Sequence, residues 1–139
     1  MTHEYRIRVR NFHCDTYGHV NNARYLEFLE EARWDFTEHT RGLDALPDRG
    51  LGLVVAAVNI EFRRPLLREE TAVIRSRMAS YEGRRAVMRQ EVTRASDGKT
   101  AAVADITFAI IEMASGRAIE LDEGIRALFV SGRTAEPGA

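Results

Sequence analysis

The sequence predicts an α+β domain in which one long helix packs on one face of an antiparallel sheet. Three observations carry that reading. A single stretch from Asn22 keeps helical apolar spacing over about three turns. It is preceded by one alternating segment and followed by at least four more. Short turn sequences, Glu82-Gly83 and Asp97-Gly98, join the later segments, and turns that tight connect antiparallel neighbours. The 139 residues suffice for one domain, with 45% hydrophobic residues to build its core. They are too few for a barrel of roughly 250 residues or for separate cofactor and substrate domains. A core of this size leaves little room for a deep private pocket, so a large ligand calls for a second subunit.

In residues 5–12, Tyr5, Ile7 and Val9 alternate with Arg6, Arg8 and Arg10, the pattern of a half-buried strand. A polar segment, His13 to Gly18, follows. Tyr25, Phe28, Leu29, Ala32 and Phe36 then share one helical face, with Asn21 or Asn22 as the cap and Gly42 as the stop. Residues 43–51 read as a loop. A strand is expected over 53–64, with Val54, Ala56, Val58, Ile60 and Phe62 on one face and Val55, Ala57, Asn59, Glu61 and Arg63 on the other; Pro65 ends it. Strands over 71–81, 85–95 and 100–113 follow, then a short strand at 117–120 and a final helix at 123–130 capped by Asp122. The domain spans 1–130, and 131–139 is expected to be a disordered tail.

Charge and cysteine content narrow the function classes. A formal net charge of −1 gives no support to nucleic-acid binding. Cys14 is the only cysteine, which excludes an intrachain disulfide framework and points to the cytoplasm. The N-terminal residues carry no apolar signal-peptide core, and no apolar run approaches the roughly 18 residues of a membrane span. There is no G-x-S-x-G elbow and no phosphate-binding Gly-rich loop. His13, Cys14 and His19 match no standard zinc spacing, so neither a metal nor another cofactor is expected. Asp15 beside Cys14 disfavours a reactive thiolate there.

The informative stretch is Phe12-His-Cys-Asp-Thr-Tyr-Gly-His-Val-Asn-Asn-Ala-Arg-Tyr25. It sets a carboxylate, Asp15, just before the start of the long helix. Gly18 permits a tight turn or close ligand approach. The first helical amides, near Asn21, Asn22 and Ala23, lack intrahelical partners and can polarise a carbonyl. A carboxylate beside such donors suits acyl transfer. The same residues also suit a bland reading: Asp15 as a turn former and the asparagines as caps.

The pattern D-x-x-G-H-V-N-N-x-x-Y, Asp15 to Tyr25, resembles the hotdog thioesterases of the 4-hydroxybenzoyl-CoA thioesterase type. The run Asn21 to Asp35 and the segment Val58-Asn-Ile-Glu-Phe-Arg-Arg-Pro65 are similar to the bacterial long-chain acyl-CoA thioesterases of the thioesterase III type. The resemblance covers about residues 5 to 130. It implies the hotdog fold, an antiparallel sheet wrapped around one long central helix. It also implies hydrolysis of an acyl-CoA, with Asp15 as nucleophile or general base and the amide at Asn22 holding the thioester oxygen. Many relatives carry D-x-D where this chain has His13-Cys14-Asp15, so the catalytic role passes to Asp15 alone. His13, Tyr17, Gly18, His19 and Asn21 are supporting candidates. Arg63, Arg64, Arg84 and Arg85 are candidates for the CoA phosphates, since guanidinium groups suit them. The resemblance further implies self-association as a dimer or tetramer. A non-catalytic acyl-CoA-binding module and a hotdog dehydratase acting on hydroxyacyl thioesters are the alternatives.

Overall fold

The computed structural model describes residues 2–40 and 42–130. Five strands form one antiparallel sheet: β1 (His3–Arg8), β2 (Leu51–Phe62), β3 (Thr71–Glu82), β4 (Arg85–Arg94) and β5 (Thr100–Glu112), in the spatial order β1-β3-β4-β5-β2. The long helix α1 (Asn22–Glu38) crosses one face, and a short helix α2 (Glu123–Ala127) closes one end. Among the described residues, no helix is long and apolar enough to cross a membrane. The expected tail at 131–139 lies outside the described residues.

Local chemistry explains the elements. Asn21 caps α1: its side-chain oxygen accepts the Ala23 N–H at 2.9 Å. Tyr25, Phe28, Leu29, Ala32 and Phe36 are all buried against the sheet, as their spacing requires. Each fully buried Leu or Phe contributes about 1.5–3 kcal/mol relative to an exposed one. Asp122 caps α2 by accepting the Ile125 N–H at 2.9 Å. Gly83 and Gly98 take positive φ at the two tight turns.

Four sequence-based boundaries or pairings need correction. The first strand stops at Arg8, and residues 11–13 form a 3-10 turn. Residues 43–49 are a 3-10 segment, and β2 begins at Leu51. The segment at 117–120 pairs with β5 only locally, through Ala118 opposite Ile111. The final helix ends at Ala127.

The larger difference lies in β2. Strict alternation fails because the register shifts between Val55 and Ala57. Val55 sits opposite Phe108 and Val58 opposite Ile106, so both face the helix. The bulge thereby moves Leu53 and Val55 onto the face of Val58, Ile60 and Phe62. β2 is an edge strand, and Leu53, Val54, Val55, Val58 and Phe62 are all exposed.

Candidate active site

The loop before α1 is a closed turn. Cys14 bridges Val20, the Asp15 N–H donates to the His19 carbonyl at 2.9 Å, and the Gly18 N–H donates to the Asp15 carbonyl at 3.0 Å. Gly18 has φ +77, the left-handed conformation that this turn needs. Two further backbone bonds dock the loop: Val20 N–H to the Leu66 carbonyl, and Asn21 N–H to the His13 carbonyl, both at 2.9 Å. The Asp15 carboxylate is exposed and accepts the Tyr17 N–H through Oδ1 at 2.9 Å. Its second oxygen has no hydrogen-bond partner among the described residues.

The start of α1 singles out one donor. The Ala23 N–H is used by the Asn21 side chain, and the Arg24 N–H donates to the Asn21 carbonyl at 2.9 Å. The Asn22 N–H has no acceptor among the described residues. Asp15, His19 and Asn22 line one groove of about 390 Å³, together with Phe62, Arg63 and Arg64. Tyr25 also lines it, with its ring edge-on to Phe62 at 5.1 Å. Burial raises the Tyr25 phenol above its usual range, so it is no base at neutral pH.

The remaining candidates separate by position. His13 has its Nδ1 accepting the Arg10 N–H at 2.8 Å and its ring edge-on to Phe28 at 4.8 Å. Burial, then the nearby Arg24 charge, lowers its pKa, in keeping with a neutral acceptor. His13 therefore holds the entry to the loop. Tyr17 stands at the loop tip, 83% exposed. Cys14 is half-buried and its thiol lies 3.7 Å from the Arg10 carbonyl. Arg63 pairs with the exposed Glu61 at 2.9 Å, which places Glu61 as its partner on the surface. Among the described residues, the Arg64 side chain bonds only a backbone carbonyl, that of Thr100, at 2.9 Å. Arg84 and Arg85 lie at the β3–β4 turn, where Arg84 pairs with Glu120. Ala86 sits opposite Phe108 and Phe62 opposite Ala102, a separation of six β5 residues. That is about 20 Å at 3.4 Å per residue. Within one chain, Arg84 and Arg85 do not join the Asp15 groove.

A second cavity, of about 440 Å³, lies between α1 and β2. Leu26, Trp34, Leu53, Val58 and Phe108 give it apolar walls. The sequence reading missed its one guanidinium, Arg33, which donates to Gln90 at 3.0 Å. Gln90 is fully buried and also donates to the Leu29 carbonyl and the Ser76 hydroxyl. Burial lowers the Arg33 pKa from its ordinary value. A polar residue between apolar strand positions was the available signal.

Residues 9–129 match the thioesterase-like superfamily. The chain belongs to that superfamily. It is 38% identical over 121 residues to the long-chain acyl-CoA thioesterase FadM of Escherichia coli, covering 87% of this chain and 92% of that one. A crystal structure of YbaW, a probable thioesterase from Escherichia coli, superposes with a TM-score of 0.84 at 37% identity, covering 88% of this chain and 92% of that one. A 4-hydroxybenzoyl-CoA thioesterase mutant, solved with 4-hydroxybenzoyl-CoA, gives a TM-score of 0.82 at 19% identity, over 93% of this chain and 99% of that one, and shares the fold. This hotdog thioesterase thus has its sequence motif, Asp15 to Tyr25, folded into a single loop and helix start.

Proposed function

We propose that this thioesterase hydrolyses a long-chain acyl-CoA to the free acid and CoA, using Asp15 and the Asn22 amide. The observation that carries the reading is one groove lined both by the exposed Asp15 and by Asn22, whose N–H has no acceptor among the described residues. The Asn22 N–H receives the thioester oxygen and stabilises the charge that develops on it. Asp15 then either attacks the carbonyl carbon, giving an anhydride that water opens, or takes a proton from the attacking water. Both routes expel CoA thiolate, which is protonated to the thiol.

Geometry supports a long acyl chain. Two cavities are strung along the α1–β2 seam, one lined by Asn22 and Phe62 and the next by Leu26, Val58, Trp34 and Leu53. From Asn22 to Trp34 the seam follows α1 for about 18 Å, at 1.5 Å per residue. Arg64, whose guanidinium has no carboxylate partner among the described residues, and Arg63 line the same groove as Asp15, which supports a role for them in holding the CoA phosphates. The open, apolar β2 edge supports pairing with a second copy, in a dimer or tetramer whose neighbour completes the acyl and CoA sites.

The test is release of free thiol across an acyl-CoA chain-length series. Rising kcat/KM toward long chains supports the reading. Binding without thiol release would favour a non-catalytic module, and hydration or dehydration without release would favour a dehydratase. Sedimentation showing a fully active monomer contradicts the assembly.

A further inference from the structure

Three side chains with metal-binding atoms meet where β1 passes the C-terminal end of α1. His3 Nε2 lies 2.6 Å from Asp35 Oδ2, and His39 Nδ1 lies 3.8 Å from the same oxygen. One ligand atom from each residue falls within 4.8 Å of the other two. Two ligands come from one helix at i, i+4 spacing, which places them on one face, and the third comes from a neighbouring strand. The cluster is separate from the Asp15 groove and from the cavity along the α1–β2 seam.

We propose that His3, Asp35 and His39 bind a first-row divalent transition metal of the zinc type, tying β1 to the end of α1. The donor set is two imidazole nitrogens and one carboxylate, which suits zinc, cobalt or nickel; calcium and magnesium prefer oxygen alone. Bond lengths of about 2.0–2.2 Å in tetrahedral geometry set the ligand atoms roughly 3.3 Å apart. The observed 2.6 and 3.8 Å bracket that value, so side-chain adjustment suffices. His39 Nδ1 now sits 2.7 Å from the Asp35 carbonyl, and ligation exchanges that bond for the metal. The His3 ring is held edge-on against Phe36 at 5.8 Å, which fixes its direction.

Electrostatics favour a cation here. His39 is the C-cap of α1, the negative end of the helix dipole. Glu31 and Glu38 add to the Asp35 charge in the same neighbourhood, all three acting on Tyr5. Among the described residues, no arginine or lysine pairs with Asp35; its ion-pair partners are the two histidines. Three protein ligands leave a fourth position for water, so the site suits an anchoring ion with no demand on the catalytic groove.

The test titrates the full-length chain with Co²⁺, followed by its visible absorption, and with Zn²⁺, followed by thermal unfolding. The expected result is one ion per chain and a Tm raised by a few degrees. His39→Gln and Asp35→Asn should each weaken binding by at least the roughly 10–100-fold that even outer-shell losses cost. His39 is exposed, so His39→Gln keeps the test valid if Asp35→Asn folds poorly. His19→Gln should bind as the parent does. No saturable binding overturns the proposal. So does binding that survives His39→Gln, as chelation by His3 and its adjacent backbone amides would.

Discussion

Replacing Asn22 by proline removes one hydrogen atom that the proposed chemistry requires and leaves the helix intact. Asn22 is the first helical residue, after the cap Asn21. Proline is favoured at that position because its missing N–H is one that the helix does not use. The residue before proline must be extended, and Asn21 already is, with φ −59 and ψ 138. The Asn22 side chain is exposed, so the stability change should stay within about 0.5 kcal/mol. Loss of one preorganised oxyanion donor costs about 2.7–4 kcal/mol, or roughly 10²–10³ in kcat. Asn22→Ala, which keeps the amide, should retain near-normal kcat. The assay is steady-state thiol release, with urea unfolding run in parallel. A folded Asn22→Pro protein with normal kcat refutes the amide's role. An equal loss in Asn22→Ala would move the role to the side chain.

Three other outcomes follow from named contacts. Gln90→Leu leaves Ser76, the Leu29 carbonyl and Arg33 without their buried partner; urea unfolding should show a loss of about 3 kcal/mol, the upper end for an unsatisfied buried group. Arg64→Ala should raise KM for acyl-CoA roughly fivefold, matching the ~1 kcal/mol ceiling of an exposed ion pair, with kcat unchanged. His13 has a pKa below its ordinary value in the folded chain, so the unfolded chain binds the proton first. Its contribution to stability is complete above about pH 6.5 and is lost as pH falls through the lower folded pKa. Urea unfolding at several pH values should therefore show a shallower acid-side fall in His13→Gln than in the parent.

The helix was legible because five apolar residues, Tyr25 to Phe36, keep one period and all face the sheet. The hairpins were legible because Gly83 and Gly98 sit where left-handed backbone is needed. The faces of β2 were not, since one extra residue near Ala56 transposes the first half and nothing in the local composition marks a bulge. At the site, the Asp15 to Tyr25 motif is contiguous, so its loop could be read directly. The resemblance already pointed to the Asn22 amide; what the structure adds is that the neighbouring Ala23 N–H is taken by the Asn21 side chain. Arg63 and Arg64 differ from Arg84 and Arg85 through strand register, a long-range property. His3 meets Asp35 and His39 across more than thirty positions, a juxtaposition that no local pattern reveals.

In the proposed reaction, the Asp15 carboxylate is the group on which thioester cleavage depends. Asp15→Asn tests that dependence cleanly, because the amide oxygen can still accept the Tyr17 N–H that shapes the turn. Thiol release from a long-chain acyl-CoA should fall by at least the roughly 10²-fold typical of a lost general base, with binding and folding retained. Near-normal turnover in a folded Asp15→Asn protein would contradict the account.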